Sequence, residues 1–357
     1  MEEKDMAQEY LLLDIILWFS IYLIVALSLN IEYGYAGIPN FGRALAVLVG
    51  AIAVGGVVNR ILIVLLGIEG GGLIETSGTL KSTVNAMIAQ NPLLGLGILV
   101  LCLLIAALMG AVTGALFILP SAKLRQDYLA ITLLAISEVL FLVSNYNTSI
   151  IGGYYGVSIP DVLAFVPGEK RFLAFALLGV GIALLVYLFV ERLLTSPYGR
   201  LLKAMRENED VVKAFGKNIL VLRIKTVALG SAIAALAGAF YSLYSVNVIA
   251  STFFRVDWTF FPFLMLLLGG MGNNRGVALG VFSFVIVKVL LIVYKFEIKS
   301  TLHLPFEATW LEYILFGVLM LLILYYKPDG LIKEKPVTMT PPIKHALKQK
   351  AKETPGR

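Results

Sequence analysis

Long apolar stretches, each broken by a short polar segment, run through most of this chain. A helix needs roughly 20 apolar residues to cross a hydrocarbon core, and that length rule predicts about nine spans, within a range of eight to ten. They fall at Tyr10 to Leu29, Phe41 to Leu66, Leu93 to Leu119, Tyr128 to Ser144, Phe172 to Val190, Thr226 to Val248, Trp258 to Leu268, Val277 to Tyr294 and Leu311 to Tyr326. The seventh is short and reads as a broken or re-entrant element, which other protein must shelter because irregular backbone is costly in lipid. The fold class predicted is all-α, a polytopic transmembrane helical bundle. Its transmembrane domain covers residues 1–326, and residues 327–357 form a basic tail expected to be disordered.

The polar run from Glu191 to Lys225 breaks this pattern most sharply, with apolar spans on both sides. It holds eight basic residues and four acids. Ser196 and Pro197 read as a helix start, a hydroxyl cap followed by a proline suited to the first turn. Leu201, Leu202 and Met205 then share a face. Asn208 can cap a second helix whose first turn carries Glu209 and Asp210, where negative charge complements the helix dipole. Val211, Val212 and Phe215 give that helix an apolar side, and Gly216 ends it. The pattern predicts a short, two-part amphipathic docking element.

Composition supports a membrane protein: 59% of the 357 residues are hydrophobic, 15% are charged and the mean hydropathy is +0.88. Cytoplasmic loops are enriched in Lys and Arg. The 191–225 segment and the tail after Tyr326 each carry eight of the 29 basic residues, so both are expected in the cytoplasm. Counting spans from there puts Lys123, Arg125 and Arg275 inside, and Lys295, Glu297, Lys299 and the acidic amino terminus outside. The first span follows Glu2, Glu3, Asp5 and Glu9 and precedes no small-residue cleavage site, so it is expected to be retained. The tail's charge suits attraction to anionic lipid heads.

Chemistry-bearing residues are sparse. The lone Cys102 lies inside a span, excluding an internal disulfide or a thiolate metal cluster. His303 and His345 have no neighbour at metal-binding spacing. No phosphate-binding loop of the G-x-x-x-x-G-K-[ST] form occurs, so any ATP would be bound by another subunit. An ion-coupled carrier would place several ionisable groups at mid-membrane, and the pattern offers Glu138 and Lys288 at similar depth: either the two face each other, or Lys288 reaches outward to lipid heads while Glu138 holds a neighbouring helix in register. Two glycine-rich stretches, Gly34 to Gly42 and Gly269 to Gly276, interrupt apolar runs. Such breaks point either to a transport route or to plain inner turns. Two outer loops, Gly67 to Pro92 and Asn145 to Arg171, are rich in Gly, Ser, Thr and Asn. The second clusters Thr148, Gly152, Gly153 and Gly156, where backbone could approach a small zwitterion between Tyr154 and Tyr155 or seat an external protein partner.

Four blocks in order resemble the M-type permease subunits of branched-chain amino acid ATP-binding-cassette importers, over about Ser28 to Leu290. They are Tyr35-Ala36-Gly37 through Asn40-Phe41-Gly42; Asp127 to Ile131 with Glu138, Thr148-Ser149, Gly152-Gly153 and Gly156; Ser196 to Arg200, Ala204 to Glu207 and Ala214 to Asn218; and Leu268 to Gly272 with Gly276 and Gly280. The chain departs from the family's common pattern at Arg43, at Tyr154 and Tyr155, at Val211 and Val212, and at Lys288 and Val289.

The resemblance implies a multi-pass cell-membrane importer subunit without enzymatic activity or a cofactor of its own. Its implied partners are a second homologous permease, two cytoplasmic ATP-binding subunits, an external substrate-binding protein and membrane lipid, with no nucleic acid. Gly199, Arg200, Met205, Arg206, Glu207, Glu209, Asp210, Val211, Phe215 and Gly216 would couple to the ATPase. Gly37, Asn40, Glu138, Thr148, Gly152, Gly153, Gly156, Gly269, Gly270 and Gly272 would line the route or meet substrate. Urea or short amides are the alternative cargo, and a self-contained secondary transporter is the alternative class.

Overall fold

A computed structural model describes residues 2–302, 308–327 and 329–334; His303 and the tail beyond Glu334, His345 included, lie outside the described residues. Helix α1 (Glu2–Leu29) runs into a π-helical turn at Asn30–Tyr35, and α2 (Arg43–Ile52) passes through a second at Ala53–Val58 into α3 (Asn59–Leu65). Next come α4 (Leu73–Gln90), α5 (Pro92–Ile118), α6 (Gln126–Tyr146), the one-turn α7 (Thr148–Ile151) and α8 (Gly168–Thr195). The element expected to dock a partner is α9 (Pro197–Glu207) and α10 (Glu209–Ala214), followed by α11 (Ile219–Ser245). A third π-helical turn, Val256–Phe260, leads into α12 (Phe261–Gly269), then α13 (Asn274–Leu302) and α14 (Ala308–Tyr326).

Among the described residues, seven helical stretches are long and apolar enough to cross a membrane: Glu9–Tyr35, Arg43–Leu65, Pro92–Ile118, Gln126–Tyr146, Lys170–Thr195, Ile219–Ser245 and Asn274–Thr301. Two shorter apolar helices, Val256–Gly269 and Trp310–Tyr326, fall where the remaining two spans were expected. At 1.5 Å per residue the first of these covers about 20 Å, short of a hydrocarbon core of roughly 30 Å. The re-entrant reading of the seventh stretch fits this length.

Small residues set the core. Helix α11 is buried through Ser231, Ala234, Ala235, Ala237 and Gly238, and packs against both α2 and α5. A β-carbon at Gly238 would strike the Val47 carbonyl of α2, and one at Gly110 of α5 would lie 2.6 Å from the Ser231 carbonyl. Without a hydrophobic drive between helices in lipid, such close backbone approach supplies the packing energy.

One expected loop is a helix. The segment Gly67 to Pro92 contains α4, which buries Leu80, Val84 and Ile88 at four-residue spacing. Its Gly, Ser and Thr content hides a regular apolar face. The second expected loop, Asn145 to Arg171, carries α7 and a two-residue strand (Val157–Ser158) that pairs antiparallel with Asn247–Val248.

The connections gather at two ends. At one, rich in basic residues, lie the first glycine stretch, the α5–α6 turn, α9 and α10, the second glycine stretch and residues 329–334. Arg223 joins α11 to the α5–α6 turn there, donating to the carbonyls of Ala122 and Leu124 at 2.7 and 2.9 Å. At the opposite end Asp161 accepts from Arg171, and Asn59 donates to the Ser158 carbonyl at 2.9 Å.

Candidate functional site

The two helices expected to dock a partner form as their sequence dictates. Ser196 Oγ accepts from the Tyr198 amide at 3.2 Å, and Asn208 Oδ1 accepts from the amides of Asp210 and Val211 at 2.9 and 3.2 Å. Gly216 closes α10 at φ +73°, a left-handed conformation that a β-branched residue resists. Gly199 lets α9 fold back tightly on the end of α8, since a β-carbon there would strike the Leu194 backbone.

The two faces of the element divide differently from expectation. Met205 and Val212 point into the protein, 1% and 3% exposed, so neither can fill a partner's groove. Leu202 joins them, fully buried. The outward side is Arg200, Glu207, Asp210, Val211 and Phe215, the last 79% exposed. Glu209 turns back to Arg223 at 2.5 Å, and Asp210 pairs locally with Lys213 at 2.9 Å.

A latch holds this element to the bundle. Arg206 donates to the Gly34 carbonyl and, at 2.7 Å, to Glu334; Lys203 reaches the other Glu334 oxygen at 2.6 Å. Burial works against the Arg206 charge, but the hydrogen bond and charge of Glu334, reinforced by Glu207, hold its pKa above the ordinary guanidinium value. Glu334 belongs to a strap, residues 329–334, in which the Leu331 and Ile332 amides donate to the carbonyls of Leu268 and Gly269 at 2.8 and 3.0 Å. This stretch of the expected tail is therefore docked on the body.

Both glycine stretches lie at this same end and touch each other. Asn30 Oδ1 accepts from the Gly272 amide at 3.0 Å while its Nδ2 donates to Asn274 at 2.9 Å. Gly37 (φ +70°) faces Arg206, Gly270 (φ +109°) lies against the strap backbone and Gly272 against the Glu334 carboxylate. Gly269 lies against the Gly276 backbone. These glycines make room for close packing beneath the docking element. Thr148, Gly152, Gly153 and Gly156 are at the opposite end, where the three glycines take positive φ beside the Val157–Val248 pairing and leave Tyr154 and Tyr155 exposed.

The charges inside the bundle pair otherwise than the sequence suggests. Lys288 does not meet Glu138. Its ammonium lies 3.2 Å from Asp257, 3.1 Å from Glu312 and 3.2 Å from the Tyr22 hydroxyl, with the Phe261 ring at 4.5 Å. Glu138 pairs with Arg255 at 3.2 Å. More fully buried in the protein, though nearer the basic end, Arg43 and Glu32 form an ion pair with no solvent exposure, and Asn40 donates to Glu32 at 2.9 Å. The sequence reading passed over Glu32, Arg43, Arg255, Asp257, Glu312 and Glu334 as site residues. Span boundaries drawn from apolar content put Glu32 and Asp257 just outside, although π-helical turns continuous with the neighbouring helices take them in. Ionisable groups at depth are thus more numerous than the two expected, and their number no longer argues against an ion-coupled carrier. Among the described residues, no three His, Cys, Asp or Glu side chains are grouped to hold a metal ion.

Comparison with known proteins decides the class. Residues 11–324 match the family model described as branched-chain amino acid transport system, permease component. The probable branched-chain amino acid transport permease protein LivM of Methanocaldococcus jannaschii is 64% identical over 333 residues, 93% of this chain and 96% of that protein. The high-affinity branched-chain amino acid transport system permease protein LivM of Escherichia coli is 28% identical, over 65% of this chain and 56% of its own length. Its Salmonella typhimurium counterpart is 25% identical over 89% and 69%. No solved structure matches the chain.

Proposed function

Because this chain belongs to the family of branched-chain amino acid transport permeases, we propose that it carries leucine, isoleucine and valine inward as one half of a translocation unit. The 64% identity to the Methanocaldococcus permease, over nearly the whole of both chains, is the observation that carries this reading. A second permease supplies the other half, two ATP-binding subunits dock at the basic end, and an external binding protein delivers substrate to the opposite end. The basic end, with α9 and α10, faces the cytoplasm, and the amino terminus lies outside.

The exposed tip of α10 supports the docking assignment. A chain without a nucleotide site receives work through contact, and an exposed Phe215 beside Val211 on a capped helix suits a hydrophobic groove in a partner. Arg200, Glu207 and Asp210 fix register around it, where wrong charge pairings are penalised more than right ones are rewarded. Met205 and Gly199 act behind the contact, by holding the helix on its base.

The test is reconstitution of the chain in vesicles with its second permease, ATPases and binding protein. ATP-dependent uptake of leucine, isoleucine or valine is expected. Uptake of urea or acetamide in their place would overturn the substrate assignment, and ion-driven uptake by the chain alone would overturn the mechanism.

A further inference from the structure

Five charged side chains fall at one depth. Counted at 1.5 Å per residue from the helix ends on the basic side, Glu138 stands about 18 Å up from Gln126, and Asp257 about 18 Å up from Gly269. By the same measure Lys288 stands about 21 Å up from Asn274, and Glu312 about 21 Å up from Tyr326. Arg255 joins them through its contact with Glu138. The Lys288 side chain is only 9% exposed, but those of Glu138, Arg255 and Asp257 are 33%, 41% and 30% exposed on the surface of the chain. Next to them an apolar groove of about 460 Å³ runs between α12 and α14, walled by Phe254, Val256, Phe260, Trp310 and Phe316.

Half-exposed charges at this depth cannot face acyl chains, because intramembrane ionisable groups point to protein or to water. A dry seal against another subunit fits poorly as well. The belt sums to three acids against two bases, and burying it would strand a carboxylate without a counter-charge. Water meets that demand; a zwitterion, carrying no net charge, leaves the balance as it is and needs only neighbouring groups of opposite sign, which Glu138 and Arg255 supply.

We propose that this belt lines the aqueous route and forms a transit seat for an aliphatic zwitterion. The α-ammonium donates to Glu138 and Asp257, the α-carboxylate accepts from the Arg255 guanidinium, whose planar fork matches a carboxylate, and the aliphatic side chain lies on Phe254 and Phe260. Lys288, held by Asp257, Glu312 and Tyr22, is a fixed positioning charge that keeps the surplus at a single carboxylate. The inference rests on the transport reading above and adds to it the residues that meet cargo.

The lone native cysteine makes the test direct. Cys102 is 1% exposed, so a Cys102→Ala chain is a clean background for adding single cysteines. Glu138→Cys, Arg255→Cys and Phe254→Cys are placed on the belt, and Val139→Cys, 59% exposed on the neighbouring side of α6, is the control. Each is assembled with its partner subunits in vesicles and exposed to a charged, membrane-impermeant methanethiosulfonate. Thiolate forms only with water present, so the belt positions should react at least about tenfold faster than the control. Leucine should slow the reaction of Phe254→Cys, and leucinamide, which lacks the carboxylate, should slow it less. Reactivity no greater than at position 139 would overturn the aqueous route; water access without protection by leucine would overturn the zwitterion seat. Should Glu138→Cys or Arg255→Cys fail to assemble, Phe254→Cys decides alone. Failure of the transport reading shows separately, as absence of leucine uptake by the Cys102→Ala complex.

Discussion

Removing the Glu334 carboxylate should unlatch the docking element without unfolding the bundle. Its two oxygens hold Lys203 at 2.6 Å and Arg206 at 2.7 Å, and the three side chains are 26%, 18% and 23% exposed. Fully exposed pairs contribute about 0 to 1 kcal/mol, while breaking a buried one costs about 3 to 5. Pairs this sheltered fall near the lower figure's top, about 1 kcal/mol each, giving about 2 kcal/mol for Glu334→Ala. At 1.4 kcal/mol per factor of ten, the strap should open about 30 times more often. Glu334→Gln keeps an acceptor and loses only the charge, so about half that energy and about a fivefold change are expected. The backbone bonds from Leu331 and Ile332 remain in both variants. Lys333, whose side chain is 78% exposed, is a trypsin site on the strap, and when opening equilibrates rapidly the cleavage rate reports the open population. Higher ionic strength should speed cleavage of the natural chain and leave Glu334→Ala unchanged. In the assembled transporter the same variant should hydrolyse ATP with less leucine moved per turnover. Cleavage of Glu334→Ala at the natural rate would show that the latch contributes nothing.

Phe215→Ala should leave the fold intact, since the ring is 79% exposed, yet cost about 2 kcal/mol of ATPase retention, read by co-purification. Gly216→Val meets no atom within 4 Å but must hold φ +73°, so it should misplace the tip and uncouple hydrolysis from transport while insertion stays normal. Arg43→Gln should lower stability by about 3 to 5 kcal/mol, seen as a lower melting temperature in detergent, because Glu32 is left buried without its partner; the double variant with Glu32→Gln should recover most of it. Lys288→Met and Glu138→Gln should add independently in melting temperature, as they share no contact, whereas Lys288→Met with Asp257→Asn should be strongly non-additive.

The helices were legible because apolar length is a strong signal in lipid, and the caps of α9 and α10 were legible because each needs only two or three neighbouring residues. What failed was longer in range. A span read from composition ends where the apolar run thins, so Glu32, Asp257 and Arg255 fell outside it, although helical turns take in Glu32 and Asp257 and start at Arg255. Their cost is met by partners 11, 31 and 117 positions away, Arg43, Lys288 and Glu138, which no local window contains. Arg43 and Lys288 are also positions where the chain departs from the family's common pattern, and each proves to be a buried cation with an acid of its own. Met205 and Val212 have the hydrophobicity of a docking face, but periodicity cannot tell a face turned to a partner from one turned to the body. Residues 329–334 look like tail because their anchoring is made by backbone amides, which carry no sequence signature, and by Glu334, whose partners Lys203 and Arg206 lie far off in the sequence.

One short helix ties the basic end of the molecule to the charge belt. At its basic end, α12 is fastened three ways: the strap bonds to Leu268 and Gly269, Gly272 donates to Asn30, and Glu334 bridges from the strap to Lys203 and Arg206 on the docking helix. At its other end the π-helical turn carries Asp257, with Arg255 just ahead of it. A rigid rod of about 20 Å therefore separates the latch from the charge belt, with no flexible loop between them. If a partner displaces α9, the shift is expected at the belt first as a movement of Arg255 against Glu138 on α6. The Glu138–Arg255 pair is exposed and weakly held, so it yields first; the Lys288 cluster, gripped by two carboxylates and a hydroxyl, stays in place. That asymmetry makes Arg255 the mobile member of the seat and Lys288 its fixed reference. Substitutions in the latch should consequently alter water access at Arg255→Cys while leaving the environment of Lys288 unchanged.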